Sequence, residues 1–211
     1  MTELSEHEET IREAHAAGRV DTAATATLTA YGHEIRSFIG SRVREKSDAD
    51  EVYSMFAEDL WVGLAQFRWR CSMRTWAYTL ARNAMSRFAT SPQRRAARNL
   101  PLSWPGALSN LVEHVRNTTQ VYQKTDIKSR FLALREQLDP EDQMLLTLRV
   151  DRQLSYRDLA IMMTGNPECD EATIERESVR LRQALTRVRR ELRRLGEAEG
   201  LLNARSADVE A

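Results

Sequence analysis

The sequence predicts an all-α protein, two small helical domains joined by a flexible linker, and three observations carry the prediction. Ala, Leu, Arg and Glu dominate a chain of 211 residues that holds only 8 Gly, a composition of helix formers. Apolar residues recur at helical spacing in several segments, and no convincing run of alternating strand residues occurs. A stretch rich in Ser, Asn and Gln, with Pro92, Pro101 and Pro105, separates those segments into two groups.

Residues 1–20 form an acidic N-terminal extension in this reading. Its start, MTELSEHEET, is acidic where a secretion signal is basic and then apolar, and no apolar run reaches membrane-spanning length, so the expected location is the cytoplasm with no membrane partner. The first helical domain spans 21–88. Asp21 is placed to cap a helix through Leu28, Tyr31, Ile35, Phe38 and Val43, and Asp48 to cap the next, which ends near Leu64. On that second helix Val52, Tyr53, Phe56, Ala57, Leu60, Trp61 and Leu64 make a broad apolar arc. Its far side presents Glu51, Ser54, Met55, Glu58 and Val62, and apolar residues among acids suit a protein partner.

Ser72 caps a third helix whose inward stripe is Met73, Trp76, Ala77, Leu80, Ala84 and Phe88. The spacing puts Arg74, Tyr78 and Arg82 on the opposite face with Thr75, Thr79 and Ser86. The segment QFRWRCSMRTWAYTLARN, residues 66–83, holds Arg68, Arg70, Arg74 and Arg82 among aromatics and contains no acid. Arginine neutralises phosphate and an exposed aromatic can stack on an unpaired base, a mixture suited to single strands. An ordinary amphipathic helix with a solvated basic face has the same pattern, and Trp76 lies on its packing side.

The linker covers 89–127, with room for one short helix through Leu108, Leu111, Val112 and Val115. The second domain covers 128–196. Asp139 before Pro140 starts a helix, since proline at the first helical position gives up no needed donor. Ser155 with Asp158 makes a capping pair for a helix holding Leu159, Ala160 and Met163, and Gly165 stops it. Pro167 bars continuation, Asp170 can cap a new start, and a long last helix carries Ile174, Leu181, Leu185, Val188, Leu192 and Leu195. Residues 197–211 form a C-terminal tail.

The formal net charge of zero conceals a separation. Residues 1–60 hold 13 acids against 6 bases, residues 61–112 hold no acid, and residues 176–194 set 8 arginines against 2 glutamates. An acidic front with a basic middle and end can offer one surface to a protein and two to nucleic acid. Cys71 and Cys169 lie far apart without metal-type neighbours, the four histidines are scattered, and no nucleophile-elbow, phosphate-loop or zinc-helix signature occurs. The sequence therefore predicts no catalytic residue, no metal and no cofactor.

The string DADEVYSMFAEDLWVGLAQFRWRCSMRTWAYTLARN, from Asp48 to Asn83, resembles the polymerase-binding and promoter-melting domain of bacterial sigma factors of the extracytoplasmic-function group, within the sigma-70 family. LREQLDPEDQMLLTLRV, LSYRDLAIMMTG and ALTRVRRELRR, within 134–194, look like that group's second domain, a helix-turn-helix that reads the upstream promoter element. The resemblance implies RNA polymerase core and promoter DNA as partners, with an anti-sigma protein as a further candidate, and no enzymatic activity. It assigns Glu51, Ser54, Met55 and Glu58 to the surface that docks on polymerase, where many family members read Asp-Leu-Val-Gln-Glu and this chain reads Glu51, Val52, Tyr53, Ser54, Met55. It assigns Arg68, Trp69, Arg70, Arg74, Tyr78 and Arg82 to the minus-ten element; the loop from Gln66 to Ser72 corresponds to the segment that captures a flipped base. Family members often read Gly-Glu or Gly-Asp where this chain has Trp69 and Arg70.

In the second domain an inserted NPECDEATIERES lies between Gly165 and Val179, where the family has a short turn. Aligning backward from ALTRVRREL puts upstream-element contacts at Arg176, Arg180, Arg182, Gln183, Thr186, Arg187 and Arg190. Two other functions fit parts of the pattern: a helix-turn-helix regulator that binds duplex DNA without polymerase, and a helical signalling adaptor whose basic faces contact protein.

Overall fold

The computed structural model describes residues 3–43, 45–91, 130 and 133–201, and every regular element among them is helical. In chain order these are α1 (Glu3–Ala16), α2 (Val20–Gly40), α3 (Lys46–Leu64), α4 (Met73–Thr90), α5 (Pro140–Leu146), α6 (Tyr156–Thr164) and α7 (Glu171–Ala198). Backbone proximity divides the chain into two units, Met1–Ala107 with Ile161–Glu171 and Leu108–Ala160 with Ala172–Ala211. The linker's short helix and the tail beyond 201 lie outside the described residues.

In the first unit α1 packs on α2, α2 on α3 and α4, and α3 on α4. The core joins Ile35, Phe38 and Ile39 of α2, Val52, Phe56, Leu60 and Leu64 of α3, and Met73, Ala77, Ala84 and Phe88 of α4. The four α3 residues recur every fourth position, the stripe that a helix needs to present to one neighbour. Burying each large aliphatic side chain contributes about 2 kcal/mol. Gly63 lets α3 and α4 come together: a Cβ there would lie 3.0 Å from the Trp76 ring.

Several expectations are corrected. Residues 3–16 are a helix rather than a mere acidic extension, and Ile11 and Ala14 are buried. Helix α2 begins at Val20 with Asp21 in its first turn, and α3 at Lys46 with Asp48 in its first turn, so neither aspartate stands at the cap. Trp61 is 50 % exposed instead of completing the apolar arc. The stripe closes with Val52, Phe56, Leu60 and Leu64, and a residue one position beyond Leu60 turns about 100° away from it. The cap at Ser72 stands as predicted, its side chain accepting from the Thr75 amide.

In the second unit the Pro140 start is as predicted. Residues Thr147–Asp151 extend α5 as wider π turns. Ser155 and Asp158 form the reciprocal pair: the Asp158 amide donates to Ser155 Oγ at 3.1 Å and the Ser155 amide to Asp158 Oδ2 at 3.2 Å. Gly165 ends α6 at φ +69°, a left-handed conformation natural to glycine. Helix α7 starts at Glu171, so the inserted segment supplies its first turns. Leu134, Leu138, Leu145, Leu148 and Leu159 are buried together with the α7 stripe Ile174, Ser178, Leu181, Leu185, Val188 and Leu192. Ser178 Oγ donates to the Tyr156 carbonyl at 3.3 Å, tying α7 to α6.

Candidate nucleic-acid interface

The eight residues between α3 and α4, Ala65–Ser72, carry the aromatic and arginine segment. Phe67 is buried and stacks on Trp76 at 4.5 Å between ring centroids, which anchors the loop to α4. Trp69 follows at 5.0 Å from Phe67 and adopts φ +56°, a left-handed backbone that a bulky side chain occupies at a cost of about 1–3 kcal/mol unless its surroundings hold it there. Its indole Nε1 donates to His15 Nδ1 at 3.2 Å, and the Arg12 guanidinium lies 4.5 Å from its ring centroid. Trp69 is therefore half-buried, while Arg68 and Arg70 on either side are exposed. Alternation around a pinned aromatic turns two cations outward.

The face of α4 differs from the expectation. Arg74, Tyr78, Thr75 and Thr79 were predicted to point outward with Arg82. Tyr78 is 0 % exposed, and Thr75 and Thr79 are buried. The reason is a polar network supplied by the two preceding helices. Glu34 of α2 accepts from Arg74 Nε at 3.1 Å and from Nη2, and from the Tyr78 hydroxyl at 2.8 Å. Glu8 of α1 accepts from the backbone amides of Met73 at 3.0 Å and Arg74 at 3.1 Å, first-turn donors of α4 that a helix cannot satisfy from within itself, and from the Tyr31 hydroxyl at 3.1 Å. Tyr78 in this arrangement cannot stack on a base, and Arg74 is committed to a carboxylate. Arg82 remains half-exposed and Ser86 exposed.

Burial and the neighbouring Glu8 carboxylate push the Tyr31 hydroxyl well above its ordinary titration range. Burial works against the Arg74 charge, but the Glu34 carboxylate outweighs it and raises the guanidinium further. Glu8, Arg12, His15, Tyr31 and Glu34 are thus the residues that sequence reasoning missed. The signal was faint: Ile11 is the single large apolar residue between Glu6 and Ala16, so no stripe marked α1 as packed.

The outward face of α3 agrees better with expectation. Glu51, Ser54 and Glu58 are exposed and Met55 is half-exposed. Val62 at 67 % and Trp61 at 50 % exposure continue the same side. Ser54 Oγ donates back to the Asp50 carbonyl, and Asp59 pairs with Arg87 of α4 at the rim.

On α7, Arg176, Arg180, Arg182, Gln183, Thr186, Arg187 and Arg190 are all exposed. Arg176, Arg180, Gln183, Arg187 and Arg190 fall along the side opposite the buried Leu181 and Leu185, the arrangement that groove reading needs. Several arginines are braced by neighbours: Arg180 by Glu177 at 3.0 Å, Arg187 by Asp142 at 3.4 Å, and Arg182 by the Tyr156 ring at 5.4 Å. Such exposed pairs contribute at most about 1 kcal/mol and yield readily to phosphate.

Among the described residues no group of His, Cys, Asp or Glu is arranged to hold a metal ion, and no helix is long and apolar enough to cross a membrane. Residues 27–95 match the family model described as Sigma-70 region 2. This span runs from the middle of α2 through α3 and the aromatic loop to the end of α4, and leaves α1 outside. The comparison with curated proteins finds no match.

Proposed function

We propose, with the sigma-70 region 2 match as premise, that this sigma-70 family member is an alternative sigma factor of the extracytoplasmic-function type. It binds the RNA polymerase core, recognises promoter DNA and helps open the duplex, and performs no chemistry itself. The observation that carries the proposal is that the matched span includes both a loop with Arg68 and Arg70 exposed and the exposed mixed face of α3.

In this reading Glu51, Ser54, Met55 and Glu58 dock on polymerase, with Trp61 and Val62 adding apolar area. Strand contacts fall to Arg68, Trp69, Arg70 and Arg82, while Arg74 and Tyr78 keep the Glu34 network. Residues 128–196 act as the helix-turn-helix domain, with α7 entering the major groove and the linker, 89–127, joining the two readers. The acidic turns at the front of α7, with Glu171, Glu175 and Glu177, are repelled by phosphate and project beyond the groove. Reading shifts to Arg180, Gln183 and Arg187. The working compartment is the cytoplasm, where polymerase and promoter are found, and an anti-sigma protein is a candidate regulator.

The test is run-off transcription with purified core polymerase on genomic fragments. Promoter-specific transcripts that require this protein support the proposal. DNA retardation without core, and no core-dependent transcript, would instead favour a polymerase-independent regulator. Absence of any salt-dependent binding to DNA or polymerase would leave a signalling adaptor.

A further inference from the structure

Helix α1 lies outside the region 2 match, yet it grips both ends of the loop that the match includes. Glu8, Arg12 and His15 are spaced four and three residues apart, so they form one stripe about 10 Å long on a single face of α1. At one end Glu8 takes the Met73 and Arg74 amides that open α4. At the other, His15 Nε2 lies 2.8 Å from the Leu64 carbonyl that closes α3. Because His15 Nδ1 accepts from the Trp69 indole, its proton sits on Nε2, which donates to Leu64. One imidazole thus links the end of α3 to the centre of the loop. Between the two anchors Arg12 covers the Trp69 ring.

We infer that α1 is a positioning element for strand opening, with Arg12 and His15 holding Trp69 in its left-handed conformation so that the loop is shaped before DNA arrives. The inference rests on the proposed function. Four observations converge on it: a bulky residue at positive φ, an indole hydrogen bond to α1, a cation over the same ring, and a carboxylate on the amides that follow the loop. A backbone conformation of that kind persists only where its surroundings over-determine it, and here the surroundings are supplied largely by α1. Holding the loop also fixes where Arg68 and Arg70 emerge. A separated strand then meets ordered cations and loses less to ordering them.

The experiment uses the full chain with core polymerase and three variants: Arg12→Ala, His15→Gln and His15→Asn. Asn places its amide oxygen near the position of Nδ1 and can still accept from the indole, whereas Gln keeps a donor toward Leu64 and loses that acceptor. Open-complex formation is followed by fluorescence of 2-aminopurine placed in the minus-ten element, on duplex and on pre-melted templates. Arg12→Ala and His15→Gln should each slow opening about fivefold on duplex, the scale of one hydrogen bond or one cation–π contact. They should change the pre-melted template less than twofold, His15→Asn should recover most of the rate, and substitution of the captured base should discriminate less in the two impaired variants. Arg12 is exposed, so its variant folds even if a His15 variant does not. Trypsin cleavage after Arg68 and Arg70 in the protein alone should accelerate in the impaired variants. Equal slowing on both templates, no slowing on duplex, or unchanged cleavage, with an active parent, would overturn the inference while leaving the sigma reading intact. A parent inactive on both templates would overturn the reading itself, and the inference with it.

Discussion

Replacing Glu34 with Ala should remove about 3 kcal/mol from the stability of the first unit. The Glu34 carboxylate serves Arg74 through two nitrogens and the Tyr78 hydroxyl through a 2.8 Å bond, with Arg74 and Glu34 side chains only 17 % and 18 % exposed. A tyrosine hydroxyl buried without this acceptor costs about 1–3 kcal/mol. Breaking a fully buried ion pair costs about 3–5 kcal/mol, but water can reach the space vacated beside a guanidinium that keeps a sixth of its surface, which brings that contribution to roughly 1–2 kcal/mol. Urea unfolding followed by circular dichroism at 222 nm measures the sum, as a lower midpoint at unchanged slope. Glu34→Gln keeps an acceptor for Tyr78 and should lose about half as much. A double-mutant cycle with Arg74→Ala should give a coupling above about 1 kcal/mol, since the two side chains act as a unit. A loss below about 1 kcal/mol for Glu34→Ala, or zero coupling, would refute the claim that this pair holds α4 against α2.

Tyr31 supplies a pH prediction. Its folded-state titration lies above the ordinary value, so the neutral form is favoured in the fold, and its stabilisation is complete below the unfolded pKa of about 10 and is lost as pH rises past it. Stability measured from pH 8 to 11 should fall more gently in Tyr31→Phe than in the parent. Reversing Glu51 and Glu58 to Lys should weaken binding to core polymerase at least tenfold in competition assays, with the melting temperature unchanged because both side chains are exposed. On α7, Gln183→Ala should relax preference at one or two promoter positions, whereas Arg190→Ala should weaken binding to all sequences and lower the salt slope by about one. Footprints of variants shortened within 168–175 check the register: recognition should survive shortening and fail with Arg180→Ala and Gln183→Ala together.

Much of this protein was legible in its amino-acid order, because the features concerned are local. Helical spacing identified the buried stripe of α3 through Val52, Phe56, Leu60 and Leu64, and that of α7 through Ile174, Leu181, Leu185, Val188 and Leu192. Ser72, Pro140 and the Ser155–Asp158 pair marked helix starts through side-chain and backbone groups within three residues of each other. The exposed arginines of α7 and the outer face of α3 followed from the same periodicity. What the order alone misjudged was α4. Periodicity ranks residues by polarity and so assigned Arg74, Tyr78, Thr75 and Thr79 to solvent. Burial of a polar side chain is decided by whether a partner elsewhere in the fold can satisfy it, and Glu34, 40 and 44 residues away from Arg74 and Tyr78, does so. The same holds for Trp69, whose left-handed backbone and half-buried ring depend on Arg12 and His15 of a helix with hardly any apolar signature of its own. Composition and periodicity determined that the chain is helical and which faces are basic. Only the tertiary structure decided which of those polar groups meet water and which are held by carboxylates and an imidazole far along the chain, because that choice rests on long-range pairing that no local pattern encodes.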